Sequence, residues 1–185
     1  MNIKLSFTPV SQNPLDLLIV VLDADKVLHD VDDPVLAGHL AKAAAGFRAK
    51  TLKREYFATL PEGSAAGAVV AYWSPSLKSW NLWENVKTCV ARGLRLARDY
   101  RHVRIGVAMN TADAAPLVGK VAEGAILGAY TFDRYKQDKD EFLHKEAQIT
   151  IIAHPDHRAD AEAPSRRRHW GLGGPRVGRW IVDLD

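Results

Sequence analysis

Residues 123–136 read EGAILGAYTFDRYK. The first half is built from small residues, with Gly124 and Gly128 four apart. The second half carries Tyr130, Phe132 and Tyr135 and closes on Arg134 and Lys136. At 3.6 residues per turn, Val121, Gly124, Ala125 and Gly128 share one helix face. A glycine costs a helix interior about 1 kcal/mol relative to alanine. Two on one face therefore mark a place where another element comes too close for a side chain. The rings that follow read as the helix end, with Phe132 anchored in the core and Lys136 near the negative pole of the helix dipole. The stretch predicts a helix packed tightly on a sheet or on a second helix.

The segments before it alternate between strand and helix patterns. Residues 3–8 (IKLSFT) alternate and predict a strand closed by Pro9. Residues 17–22 (LLIVVL) are continuously apolar, which predicts a strand buried on both faces. Asp32 or Asp33 ahead of Pro34 makes an N-cap and N1 pair. Behind it Val35, Leu36, Leu40, Ala43, Ala44 and Phe47 recur at helical spacing, and Gly46 is expected to loosen the last turn. Residues 51–60 predict a strand, 61–67 a turn and 68–73 a second buried strand. Ser79 is a candidate N-cap for a helix carrying Trp83, Val86, Val90, Leu94 and Ala97. Residues 103–109 predict a strand. Thr111 or Asp113 then caps the glycine-bearing helix, with Pro116 in its first turn, and 148–153 predict a last strand. This order predicts an α/β protein: a mixed, largely parallel central sheet flanked by helices on both faces, a three-layer sandwich. The sandwich is expected over residues 1–154. Residues 155–185, rich in Pro, Gly and Arg, read as a linker or tail, in which 179–184 is held only if it adds to a sheet edge or meets another subunit.

At 185 residues, 47% apolar and 25% charged, the chain is long enough for one sizeable core. Its one cysteine, Cys89, allows no internal disulfide, which fits a reducing compartment. The start of the chain lacks a secretory pattern, and the longest apolar run is far short of a bilayer span. A cytoplasmic protein with no membrane partner is expected. The net charge of +3 is concentrated in the tail, where Arg166, Arg167, Arg168, Arg176 and Arg179 face no acid between 164 and 182. The rest is balanced, which argues against nucleic acid as a partner, because affinity for phosphates comes from clustered cations.

With its elements in place, EGAILGAYTFDRYK resembles the end of the amino-terminal domain of the leucyl aminopeptidase, or cytosol aminopeptidase, family. The motif positions are Glu123, Gly124, Leu127, Tyr130, Phe132, Tyr135 and Lys136, read as structural. The resemblance covers about residues 3–153 and implies a macro-domain-like fold. It also implies a role outside catalysis. In that family this domain lies at the outer parts of a hexamer and helps assembly, while a following domain holds two divalent metal ions and cleaves the peptide. That domain's Asn-Thr-Asp-Ala-Glu-Gly-Arg motif has no counterpart. Residues 109–115 (MNTADAA) begin like it, but no Glu-Gly-Arg follows. The expectation is a non-catalytic scaffold with no catalytic residue, no metal and no cofactor in this chain. Its partner is expected to be another copy or a catalytic domain.

Other chemistry finds weaker support in the residues. His154 and His157 lie three apart, with His144 upstream, but zinc takes three or four ligands in a rigid frame. Cys89, between Val86 and Val90, reads as a buried structural thiol. Lys87, Arg92, Arg95 and Arg98 form a basic helix face that Glu84 and Asp99 can neutralise. Trp73, Trp80, Trp83 and Asn110 stand at two strand-to-helix turns and are the candidate ligand or partner surface. Neither turn is Gly-rich, so a nucleotide or ADP-ribose site there rests on fold analogy alone. That binding module is the alternative function, and a nucleic-acid binder the second alternative.

Overall fold

The computed structural model describes residues 1–23, 31–74, 81–109, 114–129, 146–153 and 182–184. In chain order these form β1 (Asn2–Ser6), a 3-10 turn (Val10–Gln12), β2 (Leu15–Leu22), α1 (Pro34–Arg48), β3 (Glu55–Thr59) and β4 (Ala66–Trp73). Then follow α2 (Leu82–Asp99), β5 (Arg104–Met109), α3 (Ala114–Ala129), β6 (Gln148–Ile152) and β7 (Val182–Leu184). The seven strands make one sheet in the order β3-β4-β2-β5-β6-β1-β7. Only β3 runs antiparallel to its neighbour; every other pairing is parallel. This is the expected mixed, largely parallel α/β sandwich.

The apolar run of β2 shows why the sheet is covered on both sides. Leu17, Ile19 and Val21 enter a core shared with α2 and α3, whereas Leu18, Val20 and Leu22 enter one shared with α1. Strand side chains alternate between faces, so a run with no polar residue needs a helix layer on each. β4 divides in the same way: Ala68, Val70 and Tyr72 face α2, while Val69 and Ala71 face α1.

α1 is set by Asp33. Its carboxylate accepts the backbone N–H groups of Val35 (2.8 Å) and Leu36 (3.2 Å), and also that of Ala65 (2.7 Å) at the foot of β4. One residue thus caps the helix and pins it to the sheet. Burial pushes this carboxyl up, but the hydrogen bonds from Ala65, Leu36 and Val35 outweigh it and hold the pKa below the usual range. At the bottom of the sheet Asp16 accepts the backbone N–H groups of Val103 and Arg104, and the Arg104 guanidinium at 2.6 Å, tying β2 to β5.

Several local expectations change. β3 is shorter than 51–60, because Thr51 and Leu52 donate their N–H groups back to the Gly46 carbonyl, with Lys50 at φ 58°. Gly46 is therefore the point on which the chain folds back under α1, rather than a loosened turn. β4 starts earlier than expected, since Ala66 pairs with Leu15, so the end of the predicted turn at 61–67 is strand. The N-cap of α2 is Asn81, whose side chain accepts from Trp83 N, and not Ser79. Thr111 and Asp113 lie outside the described residues. The tail expected over 155–185 ends in the sheet: Val182–Leu184 forms β7, parallel to β1, and so belongs to the sandwich. Main-chain pairing along an open edge is what holds so short a segment there.

Candidate functional site

The helix read from EGAILGAYTFDRYK packs on a helix. A Cβ added to Gly124 would lie 2.7 Å from the Lys87 carbonyl oxygen and 2.9 Å from Val90 Cβ. One added to Gly128 would lie 2.9 Å from both the Ala91 carbonyl oxygen and Leu94 Cβ. A step of four on α3 matches a step of four on α2, so the two helices run parallel, backbone close to backbone. Above this contact four charges alternate. Lys120 Nζ stands 2.9 Å from Glu84 and 2.8 Å from Glu123, while Lys87 pairs with Glu84 and stands 3.9 Å from Glu123. Hydrogen bonds from Lys87 and Lys120 hold Glu84 below the usual carboxylate range; those to Glu123 and Glu84 raise Lys120. Glu123 and Gly124 thus serve the α2–α3 seam. Leu127, the third motif position described, points outward at 46% exposure. Tyr130, Phe132, Tyr135 and Lys136 lie outside the described residues, and so do His144, His154 and His157.

The basic face of α2 is divided. Lys87 is drawn into the four-charge seam and Arg98 pairs with Asp99, leaving Arg92 and Arg95 exposed. Cys89 is fully buried in the core between α2 and the sheet, and burial pushes its thiol up to about 12. Beside it Tyr72 is likewise raised, first by burial and then by the Glu55 charge.

Trp73 and Trp83 lie on opposite sides of the sheet. Trp73 ends β4 on the α1 side and stacks on Phe47, ring centroids 5.6 Å apart. Trp83, in the first turn of α2, packs against the core on the other side of the sheet. Alternation along β4 puts Tyr72, not Trp73, on the α2 side. Trp80 and Asn110 lie outside the described residues. Between the two tryptophans, buried Ser74 and Asn85 link β4 to α2, with Asn85 Nδ2 donating to the Ser74 carbonyl at 3.3 Å.

A different aromatic group stands open. Phe57 on β3 stacks on Tyr100 at the C-cap of α2 with centroids 5.6 Å apart, and Tyr100 stacks on His102 at 5.9 Å. Phe57 is 37% and Tyr100 58% exposed. β3 is an edge strand, pairing only with β4 among the described residues. Its Tyr56 and Ala58 pack toward α1, so Phe57 occupies the phase of the strand that amphipathic alternation reserves for polar residues. That misplaced ring was the sequence signal for this surface. Alone it does not specify the surface, because Tyr100 and His102 are distant in sequence and come beside Phe57 only when α2 lies over the sheet.

No protein-family model matches the chain, and no curated protein matches its sequence. Among solved structures it is similar to the N-terminal region of a tomato leucine aminopeptidase mutant, at a TM-score of 0.59 and 15% identity over 89% of this chain. It is also similar to the macrodomain of Thermus aquaticus DarG, at a TM-score of 0.52 and 8% identity, covering 82% of this chain and 97% of that one. The chain has a macrodomain-like fold. This macrodomain-like chain spans 35% of the length of the tomato chain. No helix among its described residues is long and apolar enough to cross a membrane.

Proposed function

We propose that this macrodomain-like chain is a non-catalytic assembly domain, docking a second protein chain on the open Phe57–Tyr100–His102 surface. The observation that carries the reading is that stack of rings beside an edge strand. Exposed aromatic anchors are what protein interfaces enrich, and a solvent-facing ring column is costly to keep unless something covers it. The described charges support it from the other side, because Asp16, Asp33, Glu84 and Glu123 are each engaged in holding elements together. The likeness to the N-terminal share of a larger aminopeptidase supports a role carried out beside another domain.

Light scattering of the purified chain across a concentration series tests this. The wild type is expected to run above its 20.4 kDa chain mass, and Phe57→Ala/Tyr100→Ala is expected to return it to one chain. A wild type that stays at one chain mass throughout, or a double variant that assembles as well as wild type, overturns the reading. The same preparation is expected to leave leucine anilide substrates uncleaved with added manganese or zinc. Chelator-sensitive turnover would show that the chain is an enzyme.

A second reading has one observation in its favour. α2 and α3 run parallel and both begin at the C-terminal edge of the parallel strands, so their positive dipole ends lie side by side, as a nucleotide phosphate would require. Calorimetric titration with ADP-ribose decides between them, and saturable heat would favour this module.

A further inference from the structure

The sheet edge beside the aromatic column has a hydrogen-bonding phase of its own. β3 pairs with β4 so that Thr59 stands opposite Ala68, and one position further the Leu60 N–H reaches the Gly67 carbonyl oxygen at 2.9 Å. In an antiparallel pair, bonded positions alternate with unbonded ones. Leu60, Ala58 and Tyr56 therefore turn their main-chain groups toward β4. Glu55, Phe57 and Thr59 turn theirs outward, where no described residue pairs with them. The same three residues carry the exposed side chains of the strand. Edge strands are usually guarded by proline, lysine or a bulge. Glu55–Thr59 (EYFAT) contains no proline, glycine or cation, and its register with β4 is unbroken.

Laid antiparallel against a second copy of itself, this edge is self-complementary in one register. With Phe57 opposite the partner's Phe57, Glu55 meets the partner's Thr59 and Tyr56 meets the partner's Ala58. A carboxylate then faces a hydroxyl, a ring faces a ring, and a large side chain faces a small one. All three outward residues become bonded positions, each pair exchanging both N–H···O bonds. The neighbouring registers are poorer. Centring on Tyr56 sets Glu55 against the partner's Phe57. Centring on Ala58 sets Glu55 against the partner's Pro61, which has no N–H to donate. Centring on Glu55 puts like charges opposite each other. A two-fold axis normal to the sheet keeps each face continuous, so the Tyr100–Phe57 column runs on into the same column of the partner.

We propose that the chain docked at this surface is a second copy, joined antiparallel through β3 about a two-fold axis at Phe57, so that two seven-stranded sheets become one. The inference rests on the reading of the ring surface as a docking site, and it names the occupant and its geometry. The interface is isologous and closes at two copies. Main-chain bonds supply the affinity of such strand addition, and the alternate side chains fix the register.

Thr59→Pro and a pair of cysteine variants, all full-length chains, test it. The Thr59 N–H points away from β4, so proline there spares the β3–β4 ladder and all three rings while removing one outward donor from each copy. Self-association, followed by light scattering over a concentration series, is expected to weaken about tenfold or more. Should Thr59→Pro fail to fold, the cysteine variants decide. Glu55→Cys and Thr59→Cys chains, mixed, equilibrated and mildly oxidised, are expected to form a disulfide between position 55 of one copy and position 59 of the other. The Cα atoms of such a pair stand about 5.5 Å apart, within reach of a disulfide. Either variant alone is expected to stay uncrosslinked, because position 59 lies about 14 Å from its own counterpart. Cys89 is buried and stays out of the reaction. The inference is overturned, and the ring surface left standing as a docking site, if wild type assembles but Thr59→Pro assembles equally well, or if the mixture cross-links no more than its components. A wild type that stays at one chain mass overturns both.

Discussion

Gly124→Ala is the sharpest test of how α2 and α3 fit together. On propensity alone the change stabilises, since alanine is better than glycine by about 1 kcal/mol in a helix interior. Geometry opposes it. The new methyl would lie 2.7 Å from the Lys87 carbonyl oxygen and 2.9 Å from Val90 Cβ. The first is backbone of a helix and the second a β-branched carbon, and neither can swing aside, so relief requires α3 to move off α2 along their shared length. Overpacking of this kind costs about 1–3 kcal/mol. The 2.7 Å approach to helix backbone puts the cost in the upper part of that range, about 2–3 kcal/mol, so after the propensity gain the net loss is about 1–2 kcal/mol, or roughly 2–8 °C in Tm for a chain of this size. Gly119→Ala is the internal control. It changes the same helix by the same atom, but nothing lies within 4 Å of the new methyl, so the propensity gain of about 1 kcal/mol stands alone and Tm rises. Thermal melts of the two variants should thus move in opposite directions. A rise in both would show that the α2–α3 seam is open and that the small-residue face is not a packing face.

Three further outcomes follow from named contacts. Asp33→Asn is expected to destabilise by about 1–2 kcal/mol at neutral pH, because a charge-assisted cap and the tie to Ala65 both weaken. The carboxyl's folded pKa is lowered, so its stabilisation is fully present above about pH 4, the unfolded value, and is lost as pH falls through the lower folded value. Urea melts should show that acid-side loss in wild type and lack that component in the variant. Arg101, at φ 57° just past the end of α2, adopts a left-handed conformation that costs a side-chain-bearing residue about 1 kcal/mol, so Arg101→Gly should raise Tm, with an unchanged or lower value counting against that strain. Cys89, buried and with its thiol pushed up to about 12, should react with a thiol reagent at pH 8 only as fast as the protein opens. Labelling at the rate of a free thiol would place it at the surface.

How much of this was legible beforehand depended on whether the deciding interaction was local. The apolar run at 17–22 specifies a doubly covered strand because period-2 alternation leaves no face for water. The Asp33–Pro34 pair specifies a helix start because the cap is made within three residues. Gly124 and Gly128 announced a close neighbour without saying which, since a sheet and a helix both exclude a side chain; only the packing names Lys87, Val90, Ala91 and Leu94. Trp73 and Trp83 looked like one surface by proximity in sequence, and the pleat of β4 divides them between two faces of the sheet. The open rings of Phe57, Tyr100 and His102 and the register of Val182–Leu184 on β1 were beyond a sequence reading, because each joins residues 43 or more positions apart. By itself, then, the sequence determined the elements and their alternation, which short-range hydrogen bonding and side-chain period enforce. The tertiary structure decided which faces meet and which edges stay open. Those choices rest on burial and register between distant segments, and no local pattern encodes them.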